Sequence, residues 1–387
     1  MRILFGIKHS QALKNVITIA DFLKSQYQIF DFKLICFFEL SNQDLKSIDN
    51  KNIDLISIPN NFIIKSGEKK LKIFSVIKLL KFHNFLNKNK RIISNNDSLI
   101  ISPGGFLLDH LVAYFASKNK PSYVLQNGFI SISDKVNEKN KKFSKFSKIL
   151  SIFFKAYKIR QLINKEDSKI TYLTFNDELT SFINNSEKYK NSAKTVGSPR
   201  FKLSENRNIK NKYDVLYLGS SALYENNIFL HELIKNQILK LSKLFSKKNY
   251  NLNFRPHPRD TFNWSQYLMD YNVNILNSDD KVEDQIEDNG FIVSERSTVV
   301  VQAILSNRIG FWVPKQKEVI DDYKYITCAD EISLLEAIEK CNVNDEEYKS
   351  TLGKQLEILK NRIVSSYGVE ASKNILDIIH EDLNTNY

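Results

Sequence analysis

Two short stretches hold the residue types that chemistry needs. In "NLNFRPHPRDTF" (251–262) a histidine stands between two prolines, with Arg255 and Arg259 close on either side. Each prolyl ring fixes its own φ and pushes the preceding residue out of helical space. His257 is therefore expected to be extended, with its imidazole aimed by the backbone. Further on, "FIVSERSTVVVQAI" (291–304) places Ser294, Ser297 and Thr298 just after an apolar run. A helix opening at Ser297 offers unpaired backbone N–H groups and two hydroxyls, which together favour a phosphate. A histidine that is charged, or that donates through one ring nitrogen, can meet the same phosphate from the opposite side. Between the two stretches "SDDKVEDQIED" (278–288) supplies carboxylates, the usual partners of ribose hydroxyls. The constellation suits a nucleotide leaving group held by hydrogen bonds, and it has no metal-ligand spacing.

The elements that must position these groups alternate in type. In the first half "RILFGI", "FKLICFFE", "IDLISIP", "DSLIISPGG" and "PSYVLQNG" read as buried strands. The helix "ALKNVITIADFLKSQ" has apolar residues at helical spacing (Leu13, Ile17, Ala20, Leu23). Alternation of this kind predicts a doubly wound parallel sheet, whose ligands sit outside the carboxyl ends of the strands. The loops to watch are therefore "KHS" (8–10), "SPGGF" (102–106) and "QNGF" (126–129).

A polar stretch at 195–212 reads as an interdomain linker. After it, "YDVLYLGSS" runs into a small-residue turn at Gly219 and Ser220. A helix follows to about Lys247, then the strand leading to His257, a helix near 280–288, the strand "GFIVSE", the helix opening at Ser297, and the strand "RIGFWVP". The expected organisation is α/β, with a first Rossmann-like domain over 1–200, a second over 212–350, and C-terminal helices over 351–387.

The 387 residues are too many for one ordinary core, and 42% apolar content is ample for two. Cys36, Cys328 and Cys341 are scattered, which argues against a disulfide framework or a zinc site and fits a reducing compartment. The opening "MRILFGI" reads as a strand and not as a signal peptide, and no apolar run approaches a membrane span. A net charge of +12 directs the chain toward anions. Two lysine-rich stretches with aromatic residues at three- and four-residue steps, 139–165 and 69–91, have the pattern of helices that lie on an anionic bilayer. The lysines sit beside apolar stripes and not beside stacking platforms, and no nucleic-acid motif is present, so nucleic acid is not an expected partner. There is no G-x-G-x-x-G and no P-loop, which argues against NAD and ATP chemistry.

The order strand, "HP", helix, strand, Ser-Thr in a carboxy-terminal α/β domain resembles the bacterial sialyltransferase, polysialyltransferase and Kdo-transferase group of GT-B glycosyltransferases. "VGSPRFKL" (196–203) is similar to the "GxPR" segment that enters the second domain of related capsule and teichoic-acid enzymes. The resemblance covers roughly 195–315 through these motifs, and the first domain by layout alone.

What it implies is a GT-B fold, two Rossmann-like domains facing a central cleft with a C-terminal helix closing back, and inverting, metal-independent transfer of a CMP-activated acidic sugar. His257 would hold the CMP phosphate and assist its departure. Ser294, Ser297, Thr298 and Arg255 would line the same phosphate site, Pro258 would shape the turn around the cytidine, and Glu283, Asp284 or Gln285 would meet the ribose. Gly219 and Ser220 follow by position. The acceptor side would involve His9, Gln126, Asn127 and Gly128. Relatives carry an acidic residue or a histidine before the glycine of that last segment; here "VLQNGF" has Asn127, and an amide is no general base. Asp109 and His9 are the substitutes nominated for the base. A glycan or glycolipid acceptor at the cytoplasmic face of the membrane completes the expectation. The rivals are a CDP-alditol phosphotransferase of the teichoic-acid type and a UDP-sugar 2-epimerase-like enzyme.

Overall fold

The computed structural model of the chain describes residues 1–8, 10–26, 31–63, 72–102, 106–126, 170–185, 192–201, 212–223, 227–295, 297–313, 323 and 325–384. It divides into two compact units: residues Met1–Arg200 with Arg362–Tyr387, and residues Phe201–Asn361.

The first unit is built on seven strands, β1 (Arg2–Ile7), β2 (Asp31–Cys36), β3 (Asp54–Leu55), β4 (Ser98–Ile101), β5 (Ser122–Leu125), β6 (Ile170–Thr174) and β7 (Ala193–Thr195). They pair in parallel in the order β3-β2-β1-β4-β5-β6-β7. Its helices are α1 (Ser10–Gln26), α2 (Asn42–Asp49), α3 (Lys72–Lys88), α4 (Lys90–Ser94), α5 (Phe106–Ala116) and α6 (Asp177–Asn184).

In the second unit β8 (Asp214–Leu218), β9 (Asn251–Arg255), β10 (Val273–Ile275), β11 (Phe291–Ser294) and β12 (Ile309–Trp312) form a parallel sheet ordered β10-β9-β8-β11-β12. Its helices are α7 (Ile228–Ser246), α8 (Trp264–Tyr267), α9 (Val282–Asp288), α10 (Thr298–Leu305), α11 (Glu331–Asn342) and α12 (Asp345–Ile358). The last helix, α13 (Gly368–Asn384), returns to the first unit. Both sheets thus show the reversal of strand order that defines a doubly wound fold.

Strand β1 shows why. Ile3, Phe5 and Ile7 enter a core shared with α1 and α13, while Leu4 enters the opposite core with α3 and α5. A strand buried on both faces reads as a continuous apolar run, the signature of a covered parallel sheet.

Four features differ from the sequence reading. Strands β6 and β7 and helix α6 lengthen the first sheet beyond "PSYVLQNG". The supposed linker begins inside that unit: Gly197 has φ +80, and Ser198 bridges Tyr367. A Cβ on Gly197 would lie 2.0 Å from the Ser366 carbonyl oxygen, so only glycine fits there. Residues 351–387 do not form a unit of their own, because α12 belongs to the second unit and α13 to the first. Finally, part of the 69–91 stretch faces inward: Phe82 and Leu86 are fully covered, and Phe82 packs edge-on against Phe37 and Phe62. Those side chains are core and cannot act as membrane anchors. The stretch 139–165 lies outside the described residues.

Candidate functional site

The carboxyl edge of the second sheet brings three loops together, because β8 lies between β9 and β11. Gly219 follows β8 and donates its N–H to the Arg255 carbonyl at 2.9 Å. A Cβ there would stand 3.2 Å from both the Arg255 oxygen and the His257 nitrogen. The glycine therefore lets the β8 turn approach the histidine loop closely. Ser220 is half-buried, and its covered hydroxyl oxygen has no hydrogen-bond partner among the described residues.

His257 sits in a turn closed by the Asp260 N–H donating to its carbonyl at 2.8 Å. Its Nδ1 accepts from the Arg259 N–H at 3.1 Å. A ring whose Nδ1 accepts carries the proton of the neutral form on Nε2, which makes Nε2 the donor. Pro258 stands in the turn and is exposed. Asp260 secures the far end of the loop, accepting from the Trp264 indole at 2.9 Å and from the Phe262 N–H at 3.1 Å. Trp264 is buried against Phe254. Neither Asp260 nor Trp264 was nominated from sequence; an acid three residues after the histidine was the available signal.

After β11 the chain turns into α10. Ser297 is its N-cap, accepting from the Val299 N–H at 3.1 Å. Ser294 is fully buried and accepts from the Ser297 N–H at 2.9 Å, so it shapes the turn and does not face a ligand. The Trp312 indole, from the next strand, donates to the Ser297 carbonyl at 3.1 Å. Thr298 is half-buried and makes no hydrogen bond among the described residues, leaving its N–H and hydroxyl as donors at the positive end of the helix.

Two nominated residues are tied to structure. Arg255 donates to the carbonyls of Ser278 (2.7 Å) and Asp280 (3.0 Å), bracing the loop between β10 and α9. Burial pulls its guanidinium below the ordinary value, against the opposing influence of Glu283, Asp280 and Asp279. Glu283 accepts from the Gln302 amide at 3.1 Å, joining α9 to α10.

In the first unit two of the nominated residues, Gln126 and Asp109, lie among the described residues. Gln126 is buried and accepts from the Phe175 N–H at 2.7 Å, a clamp between the ends of β5 and β6. Asp109 is half-buried in the first turn of α5. Beside it His110 is buried, with Nε2 at 3.1 Å from the Nδ1 of His83. His9, Asn127 and Gly128 lie outside the described residues. Arg200 of "GSPR" is drawn down to about 10 by burial, and its backbone N–H donates to the Asn15 side chain at 3.2 Å. Among the described residues no group of three or more His, Cys, Asp or Glu is placed to hold a metal ion. No described helix is long and apolar enough to cross a membrane.

Solved structures share this architecture over nearly the whole chain. The calicheamicin glycosyltransferase CalG4 superimposes with a TM-score of 0.61 at 11% identity, covering 99% of this chain and 98% of that one. The fold is GT-B. The UDP-GlcNAc 2-epimerase of Neisseria meningitidis, bound to UDP-GlcNAc, gives 0.59 at 10% identity, covering 98% of this chain and 100% of that one. A UDP-glucosyltransferase of Polygonum tinctorium gives 0.58 at 10% identity, covering 99% of each chain. No family model matches the sequence, and no curated protein matches it.

Proposed function

We infer that the chain is an enzyme of nucleotide-activated sugars, and that it is an inverting glycosyltransferase whose donor site lies at the carboxyl edge of the β9-β8-β11 strands. The observation that supports it best is the combination of a histidine with its Nε2 proton set by the Arg259 N–H and the open Thr298 donors at a capped helix N-terminus. Each supplies hydrogen-bond donors to an oxyanion, and a phosphate leaving group gains negative charge as the glycosidic carbon departs from it. His257 stabilises that charge and can deliver a proton to it. No metal is required for this, and the transfer is proposed to be metal-independent.

The finer proposal is a CMP-activated acidic sugar, supported by the likeness of "RPHP" and "ERST" to the sialyltransferase and Kdo-transferase group. The acceptor is proposed to be a cell-surface glycan or glycolipid, with the protein peripheral on the cytoplasmic face of the membrane. A second reading is a UDP-sugar enzyme, transferase or 2-epimerase-like. It is favoured by the fold neighbour bound to UDP-GlcNAc.

Calorimetric titration with CMP, CDP and UDP separates them. Preference for CMP, weakened about 10- to 100-fold in His257→Ala, is expected from loss of a hydrogen bond to a charged group. In His257→Asn the side-chain oxygen can still accept the N–H two residues on, so the turn is kept and only the ligand contact is lost; its affinity should match that of the alanine variant. Preference for UDP, with epimerisation of UDP-GlcNAc when no acceptor is present, decides for the second reading. Wild-type affinity in both His257 variants removes the histidine from the site.

A further inference from the structure

The loop that carries His257 leaves β9 at Arg255, and both of its ends rest on one side chain, Trp264. The Phe254 ring, next to the end of β9, meets the indole edge-on with ring centroids 4.6 Å apart. Past the histidine, Asp260 accepts the indole N–H on Oδ2 at 2.9 Å. Residues 255–259 therefore form an excursion stapled across its base.

The staple itself is fixed. Trp264 is 4% exposed and opens the single turn of α8. Besides Phe254 it is enclosed by Phe262, His231 and Tyr267, with ring centroids 5.0, 5.5 and 6.1 Å away. Lys235 of α7 lies over Phe262 and Tyr267, its Nζ 5.2 and 4.7 Å from their centroids. An indole N–H is a donor only, and once buried it requires an acceptor. A carboxylate makes the stronger, charge-assisted kind of bond to it.

The bond reaches the histidine through the backbone. Asp260 Oδ1 accepts from the Phe262 N–H at 3.1 Å, an Asx turn. With one oxygen held by the indole and the other by the turn, the Asp260 backbone is set, and its N–H meets the His257 carbonyl at 2.8 Å. Two separate controls thus act on His257. The Arg259 N–H selects the tautomer of the ring, and the path Trp264–Asp260 decides where the peptide that bears the ring stands.

We propose that Trp264 and Asp260 are positioning residues of the donor site, which hold the His257 imidazole where its Nε2 meets the phosphate. The assignment rests on the donor-site reading above, since it gives these two residues a function only through His257. A position error of 1 Å in such a group can cost on the order of 10²-fold, which is the reason to staple the loop on the buried core of its own unit.

The aromatic cluster also serves the core, so the test must separate positioning from folding. Trp264→Phe keeps a ring in the cluster and deletes the N–H. Asp260→Asn leaves one side-chain oxygen for two donors, outside the aromatic cluster, and carries the test where Trp264→Phe melts too low. Calorimetry on the full chain uses whichever of CMP, CDP and UDP the wild type binds best, and a thermal scan checks that each variant is folded. Each change is expected to weaken the nucleotide about 3- to 10-fold, as one hydrogen bond of the loop is lost. In the His257→Asn background the turn is kept and the imidazole is gone, so the same changes should cost less than about twofold. A purely structural role lowers affinity equally in both backgrounds. Such an equal loss, or wild-type affinity in both single variants, overturns the positioning role and leaves the donor site standing. Affinity that ignores His257→Ala and His257→Asn, or no binding of any of the three nucleotides, ends the donor-site reading and the assignment with it.

Discussion

Replacing Gly219 by alanine tests whether the close approach of β8 to the histidine loop serves the donor site. The added Cβ meets the Arg255 carbonyl oxygen and the His257 nitrogen at 3.2 Å, and the Phe254 ring edge at 3.3 Å. Two of the three are backbone atoms, so a side-chain rotation cannot relieve the crowding. The β9 turn must move away by a few tenths of an ångström, stretching the 2.9 Å bond from the Gly219 N–H to Arg255. Crowding of this kind costs about 1–3 kcal/mol, and each kcal/mol lowers the melting temperature of a domain this size by roughly 2–4 °C. The displaced group is the backbone that aims His257. Since a 1 Å misplacement of a positioned group can cost on the order of 10²-fold, a shift of a few tenths is expected to weaken nucleotide binding by about tenfold. Calorimetry with the nucleotide preferred by the wild type reads the affinity, and a thermal scan reads the stability. A variant that melts lower yet binds nucleotide as the wild type does would refute the link between this contact and the site. One unchanged in both would refute the geometry itself.

Gly197→Ala should be more damaging, because an alanine at φ +80 would also drive its Cβ into the Ser366 backbone. A loss of about 3 kcal/mol or more is expected in urea denaturation, and an unchanged midpoint would show that the contact between the outgoing and returning chain segments relaxes freely. Stability should also fall at alkaline pH. Burial holds Cys36, Cys328 and Tyr348 up at about 12 and pushes Tyr217 and Tyr123 well above the ordinary phenol value. A group whose folded pKa is raised stabilises fully below its unfolded pKa and loses that contribution as pH rises toward the folded one. The denaturation midpoint should therefore be level up to about pH 8 and decline progressively above it, first as the unfolded thiols and then the unfolded phenols ionise. A midpoint that holds constant from pH 8 to 11 would contradict the burial of these groups.

Much of the candidate donor site was legible because it is local. His257 is aimed by its flanking prolines, and Ser297 caps the helix that begins one residue later. Neither depends on a distant partner for its conformation. The division of labour among the nominated hydroxyls was not legible: Ser294 turns out to hold the Ser297 N–H, and Thr298 keeps its donors open. Choosing among three adjacent hydroxyls requires knowing which way the turn folds, and the Trp312 indole from the next strand takes part in that. Arg255 and Gln126 were read as ligand contacts on their chemistry, and both spend hydrogen bonds on carbonyl or N–H groups far along the chain. A polar side chain announces its bonding capacity in the sequence but not its partner.

What the sequence by itself determined is the alternation of buried strands and amphipathic helices, and with it two doubly wound sheets. Residues buried on both faces of a parallel strand leave an apolar run that no other element requires. Only the tertiary structure decided how far each sheet extends, where α13 goes, and which surfaces remain open. The three-residue β7 has no periodicity of its own and exists because β6 offers it an edge to pair with. Helix α13 is drawn back to the first unit by Ile375, Leu376 and Ile379, which complete the core on the β1 face. Its amphipathic pattern specifies that it must be covered, and the shape of the uncovered core specifies by what. The aromatic residues of α3 show the same limit: an apolar stripe among lysines fits a bilayer or a protein core equally well, and Phe82 reached the core because Phe37 and Phe62 were already there to receive it.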